Sequence, residues 1–184
     1  MKKSYLKYLS SLLLFGSNGV VASYILLNSH EIVFLRIFIG SIFLICLLLS
    51  KQKSQAFDNK KDAIYLIASG ISTGISWLFL YQAYTEIGVS LATLACYCGP
   101  IIVILLSPLI FNERLDIYKI SGFIIVFTGM IFVNGSELSQ TGISLGLVCG
   151  ILSAVTYSLM VIFAKKVKTI NGLEYSFIQL ISSF

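Results

Sequence analysis

Both prolines of the chain, Pro100 and Pro108, fall inside an uncharged run of 25 residues from Ile87 to Phe111. A stretch that long and apolar reads as a membrane-spanning helix, because about 20 residues at 1.5 Å each cross the hydrocarbon core. Proline inside such a helix removes a backbone donor and displaces the carbonyl four residues earlier. In lipid a freed carbonyl is tolerated only where protein, water or a ligand satisfies it. The run therefore predicts a kinked helix facing a wet cavity, a feature of transport machinery.

The rest of the chain agrees. Of its 184 residues only 11% are charged and 57% are hydrophobic, and the mean hydropathy is +0.93. A soluble domain carries about 25% charge, so this chain has too little polar surface to cover a soluble core. Apolar spans of membrane length recur instead at Tyr5–Leu27, Ile32–Ser50, Ala63–Thr85, Val89–Phe111, Ile117–Val133 and Ile143–Ala164. A seventh opens near Leu173 and stops at Phe184. The expected fold class is an all-α polytopic membrane protein.

A net charge of +5 could suggest a nucleic-acid partner, but its placement argues otherwise. Lys2, Lys3 and Lys7 precede or open the first span, and Lys51, Lys53, Lys60 and Lys61 lie between the second and third. Arg114 and Lys119 separate the fourth and fifth, and Lys165, Lys166 and Lys168 follow the sixth. The alternate connections (28–31, 86–88 and 134–142) contain no Lys or Arg. This positive-inside pattern places the N-terminus in the cytoplasm. It accounts for 12 of the 13 basic residues and leaves nothing for a nucleic acid to bind. A secretory signal peptide is a rival reading of the first span, with MKK, an apolar region and VVAS. Its removal would spoil the pairing of spans that the charge alternation describes.

Arg36 is the exception, lying among Ile, Leu and Phe five residues past Glu31. An intramembrane charge is a functional hypothesis in itself. Arg36 can hold an anionic group, close an outer gate, snorkel outward, or pair with Glu31, Glu86 or Glu137. Asn18, beside Gly16 and Gly19 in the first span, needs a partner in the bilayer, either as packing glue or as a substrate contact. Asn28 and Glu31 have the spacing of a capping box. Trp77, Tyr81 and Tyr84 share one helix face, and Ser90, Thr93, Tyr97 and Pro100 share another. Such stripes are packing or an aromatic belt in many membrane proteins; two polar strips on adjacent helices also describe a cavity. Gly70 and Gly74, Gly122 and Gly129, and the row Gly142, Gly146, Gly150 mark close helix approach.

Cys46, Cys96, Cys98 and Cys149 lie within spans, and Cys96 and Cys98 point to different faces, so no metal site or cofactor is expected. An enzyme would need paired carboxylates, a His cluster or a nucleophile with its base. An ATP-driven pump would need a phosphate-binding glycine loop. The sequence offers neither, and no catalytic residue is expected.

Several of these residues together resemble the EamA domain of the drug/metabolite transporter superfamily. They are Tyr81-Gln82-Ala83-Tyr84, Gly99-Pro100, Glu113-Arg114-Leu115, and Gly122 followed by Gly129. In the first span Leu14-Phe15-Gly16-Ser17-Asn18 resembles the family's Trp-Gly motif, with Phe15 in place of Trp, and Arg36 matches an arginine near the start of the second helix. Order and spacing over some 130 residues carry the match. The resemblance implies inverted five-helix repeats around a midplane site: residues 1–135 would be the first repeat and 136–184 the start of a second.

The expectation is a plasma-membrane secondary transporter exporting small metabolites or amino-acid-like solutes by alternating access. Asn18, Trp77, Tyr81, Tyr97, Pro100 and Tyr157 would line the path, Arg36 would bind an anion or gate, and Glu113 would stabilise a turn. The alternative is a non-transporting membrane fragment or half-molecule, completed by a dimer partner or by further C-terminal helices. Parallel three-helix repeats would place internal similarity four spans apart, whereas the weak similarity lies five spans apart.

Overall fold

The computed structural model describes residues 2–49, 60–112, 117–141, 144–170 and 172–184; some side chains within them, those of Asn18 and of residues 133–141 included, fall outside the description. The described residues form helices joined by short connections: α1 Lys2–Ser23, α2 Ser29–Leu49, α3 Lys60–Cys96, α4 Cys98–Phe111, α5 Ile117–Thr141, α6 Leu145–Lys166 and α7 Gly172–Ile181. Three stretches are long and apolar enough to cross a membrane: 29–48, 60–111 and 145–166. A shorter apolar stretch covers 120–129 in α5.

The second stretch has 52 residues. As one straight helix it would run to roughly 80 Å, far beyond a bilayer core of about 30 Å. It reverses at Gly88, whose φ of 76° and ψ of 165° only glycine adopts without strain. Ala83 and Ala92 pack together across this turn, and so do Tyr84 and Thr93. The reversal falls in the connection expected between the third and fourth spans. Thus α3 has two limbs, 60–87 and 89–96, and the second continues through Tyr97 into α4.

The largest interface is that of α3 with α6, which also packs on α4. Gly146 lies against Glu86 and Ile87, Ser153 meets Ser76, and Ser69 meets Met160, so α6 runs antiparallel to the first limb. Gly150 lies against Ala95 and Ser158 meets Gly99, so α6 runs parallel to the second limb and α4. α6 therefore lies in the mouth of the α3 hairpin. Two of its expected row of glycines are what lets it in; the third, Gly142, lies outside the described residues. A Cβ on Gly150 would come within 2.6 Å of the Ala95 Cβ.

α7 packs on α2 and α3. Gly70 admits its backbone at Gln179, and Gly74 admits that of Ser183 just past its end, as the small-x3-small spacing predicts. Gly122 and Gly129 behave differently. Nothing lies within 4 Å of where their Cβ atoms would be, so the tight packing expected of them is absent. The span expected to end at Val133 also continues as helix to Thr141.

Local signals set several helix ends. The Glu31 carboxylate accepts from the Asn28 amide at 2.9 Å, one half of the expected capping box. The Ser144 hydroxyl accepts from the Leu147 amide and caps α6, whose last turn carries Lys165 and Lys166 where the helix dipole favours cations. Asn112 closes α4 in the left-handed conformation. Lys60, Lys61, Lys165, Lys166 and Lys168 consequently gather at one end of the bundle, joined where Asp62 accepts from the amides of Lys168 and Thr169. Ser29, Gln82 and Glu86 lie at the opposite end.

Candidate functional site

The site begins where α2 crosses the first limb of α3. Val33, Ile37 and Tyr81 form a buried cluster there, with Trp77, Tyr84 and Leu180 against it. Arg36, one turn after Val33 on α2, projects into this junction. Its guanidinium lies 4.4 Å from the centre of the Trp77 ring, and its Nη1 donates to the Tyr81 hydroxyl at 2.8 Å. The ring face attracts the cation, and the phenol oxygen accepts from it. Of the alternatives left open by the sequence, the guanidinium faces the protein and not the outer surface. Tyr81 is only 3% exposed, so its phenol is held by burial as well as by the hydrogen bond.

From Arg36 the phenols continue inward. Tyr81 and Tyr84 meet edge to face at 5.4 Å, a favoured aromatic geometry. The Thr93 hydroxyl lies 3.4 Å from that of Tyr84, a long contact that crosses the hairpin. The two polar strips read from the sequence therefore face each other. The Tyr157 ring lies against Gly99, just past the end of the second limb.

That limb ends in a break. α3 stops at Cys96, Tyr97 is a turn residue, and α4 starts at Cys98. The interruption lies three residues before Pro100, yet Tyr97 keeps a helical backbone (φ −69°, ψ −4°) and its amide donates to the Thr93 carbonyl at 3.0 Å. Pro100, which has no donor for the carbonyl four residues earlier, therefore distorts the helix locally at Cys96–Tyr97. Pro108 lies inside α4. Beside the break, Tyr97 and Pro100 line a cavity of about 250 Å³ with Gly122, Phe123, Val126 and Phe127 of α5. Gly122 is open because it faces this space.

On the other side of the break the contacts are closed. A Cβ on Gly99 would come within 2.9 Å of the Tyr157 ring, and the Ser158 hydroxyl donates to the Gly99 carbonyl at 3.0 Å. The Ser76 hydroxyl donates to the Ser153 carbonyl at 3.0 Å and the Ser153 hydroxyl to the Ser76 carbonyl at 2.9 Å. Ser153 also approaches the Cys96 sulfur at 3.6 Å. These hydroxyls satisfy one another, which lets polar groups stay inside an apolar bundle.

The structure thus places Arg36, Trp77 and Tyr81 together, and Tyr97 and Pro100 together on the cavity, with Tyr157 on the opposite side of the break and Tyr84 and Thr93 between the two groups. Tyr84 and Thr93 were visible as members of helical faces, but periodicity does not say that those faces meet. The side chain of Asn18, and Glu113 as a whole, lie outside the described residues. All four cysteines are free thiols, and no cluster of potential metal ligands occurs among the described residues.

Comparison with known proteins bears on this arrangement. The EamA-like transporter family matches residues 2–135. The chain is 28% identical over 178 residues to the uncharacterized transporter YxxF of Bacillus subtilis (strain 168), covering 95% of this chain and 57% of that protein. It is 25% identical over 134 residues to the uncharacterized transporter YoaV of the same organism, covering 71% of this chain and 46% of that protein. The chain thus spans about half the length of these curated relatives. No solved structure matches it. With apolar helices and a family match over most of its length, this is a membrane protein that belongs to the EamA-like transporter family of the drug/metabolite transporter superfamily.

Proposed function

We propose that the chain works as part of a secondary transporter that exports small metabolites or amino-acid-like solutes by alternating access. The observation that carries this reading is the line from Arg36 over Trp77 to Tyr81, and on through Tyr84 and Thr93 to the helix break at Tyr97. A charge inside a membrane bundle marks a substrate pathway or a gate, and a broken helix beside a cavity is where transporters expose backbone to a solute. In this reading six full spans and the start of a seventh sit in the plasma membrane with the N-terminus cytoplasmic. Residues 1–135 form one five-helix repeat and 136–184 open an inverted copy. A small-molecule substrate passes Trp77, Tyr81, Tyr97, Pro100 and Tyr157, with Asn18 contributing from the first helix.

Arg36 then has two tasks. Its cation offers an anionic substrate group a partner, and its bond to Tyr81 ties α2 to α3 until that group competes for the guanidinium. The bond breaks on one side as the solute binds, which links occupancy to helix separation. Nothing in this scheme needs a covalent step, so transport and not enzymatic turnover is the activity proposed.

The test is comparison of metabolites released by cells expressing the full chain with those released by cells expressing Arg36→Met, Tyr81→Phe or Tyr97→Ala. Release should fall about tenfold in Arg36→Met with unchanged abundance in the membrane, and less in Tyr81→Phe, which loses one hydrogen bond to a charged group. Parallel losses of abundance and release would make these packing residues and overturn the reading. A second reading, a half-molecule completed by a dimer partner or by further helices, is favoured by the apolar residues that α1 and α5 leave uncovered, such as Leu13, Leu14 and Phe132.

A further inference from the structure

At the end of the bundle remote from Arg36, the starts of α3 and α7 and the ends of α4 and α6 converge. Lys60, Lys61, Lys165, Lys166 and Lys168 come from two segments about 100 residues apart in sequence. Asp62 holds them together: its Oδ2 accepts from the Thr169 hydroxyl at 2.6 Å, the Thr169 amide at 2.7 Å and the Lys168 amide at 2.9 Å. The other carboxylate at this end among the described residues is Glu174 in the first turn of α7. Among the described residues, five lysines and two carboxylates lie at this end, and one of the carboxylates is engaged by backbone amides.

Two of the lysines are positioned by rings. The Lys165 Nζ lies 4.4 Å from the centre of the Phe111 ring at the end of α4. The Lys166 Nζ lies 5.4 Å from that of Tyr65 in the second turn of α3. Phe111 and Tyr65 belong to one apolar stretch, so these contacts hold the two adjacent ammoniums at the depth where that stretch ends. A soluble anion has no reason to select that depth; a lipid phosphate is fixed there by its chains. Juxtamembrane lysines attract anionic lipid, and basic pockets between transmembrane helices take its headgroup.

We propose that this lysine-rich end is a binding site for the headgroup of an anionic phospholipid, with Lys165 and Lys166 contacting its phosphate and Asp62 fixing the loop that carries Lys168. The site is independent of the transport reading.

The test uses the full chain purified in a neutral detergent. Thermal unfolding is followed during titration with phosphatidylglycerol, with phosphatidylcholine of the same acyl chains, or with inorganic phosphate. Phosphatidylglycerol should raise the midpoint saturably, and the other two should not. Its apparent affinity should fall about 25-fold in Lys165→Gln/Lys166→Gln, at about fivefold per lysine, and persist in Lys165→Arg/Lys166→Arg. Equal shifts from phosphatidylcholine, or a shift from phosphate alone, overturn the proposal, as does an unchanged affinity in the glutamine variant. Should the double variant not accumulate, Lys165→Gln and Lys166→Gln are titrated singly, each expected to weaken binding about fivefold; no weakening in either likewise overturns the proposal. Lipid that copurifies with the wild-type chain should be enriched in anionic over zwitterionic headgroups relative to the host membrane, and lack of enrichment also counts against the site.

Discussion

The seam between α3 and α6 and the periphery formed by α1 and α5 are made from similar apolar residues, yet they pack in opposite ways. In the seam the small residues have close neighbours. Ala83, Ala92 and Ala154 are fully covered, Gly150 sits on Ala95, and Ser76, Ser153 and Ser158 bond to backbone carbonyls across the interface. In the periphery the large residues stand open: Leu13 is 76% exposed and Phe132 85%. α1 makes a slight contact with α3, and α5 a modest one. The lesson is that hydrophobicity does not hold helices together in an apolar solvent. Close backbone approach and hydrogen bonds between helices do so, and in α3 and α6 the small residues that permit both are turned toward each other.

The largest expected effect tests that contrast directly. Gly150→Leu must displace Ala95 and should destabilise by about 3 kcal/mol or more as overpacking, seen as loss of monodisperse protein after detergent extraction. Gly129→Leu, which meets nothing within 4 Å, should change stability by less than about 0.5 kcal/mol. Equal behaviour of the two would break the comparison. Next comes the hairpin that brings both limbs of α3 to α6. Gly88→Ala forces a side chain into φ 76° and ψ 165°, a region essentially confined to glycine, and should cost about 1–3 kcal/mol, measured as a lower thermal midpoint. Gly88→Asn should be no milder, because asparagine is favoured only in the left-handed helical region.

The polar bonds of the seam come third. Ser153→Ala removes a donor to the Ser76 carbonyl and should cost about 0.6–1 kcal/mol. A double change with Ser76→Ala should differ from the sum of the single ones, because the two hydroxyls lie 3.2 Å apart. The smallest effect is one of pH. The Thr169 hydroxyl, then the Thr169 and Lys168 amides, hold the Asp62 carboxyl below its ordinary value. A depressed carboxylate pKa stabilises the fold above the unfolded value of about 3.9 and stops doing so as pH falls through the lower folded value. Thermal midpoints of wild type and Asp62→Asn should therefore converge below about pH 4 and separate slightly above it; a constant gap would remove Asp62 from the linkage.

Much of this was legible in order along the chain. The uncharged run from Ile87 to Phe111 announced a broken helix, and Gly70 with Gly74 and Gly146 with Gly150 announced close approach, because these signals are local properties of the backbone. The same kind of signal misled at Gly122 and Gly129, where no atom comes within 4 Å of where a Cβ would be; Gly122 lines the cavity beside Tyr97 instead. The interruption at Tyr97 lies within the turn that the missing donor of Pro100 disturbs, one residue past the carbonyl four positions before that proline. Tyr84 and Thr93 could be assigned to faces, and those faces were adjacent only once Gly88 reversed the chain.

What the sequence determined by itself is the class of solvent and the ends of the segments: an apolar chain whose lysines and glycines divide it into membrane-length pieces, with one arginine left inside. Only the tertiary structure decided which pieces meet. It set α6 in the mouth of the α3 hairpin, turned Arg36 onto Trp77 and Tyr81, and brought Lys165 and Lys166 beside rings from two other helices. The physical reason is that periodicity specifies a face, while a small or polar face fits many partners in lipid. The partner is chosen by the sum of contacts over the whole interface, and no single stretch of sequence contains that sum.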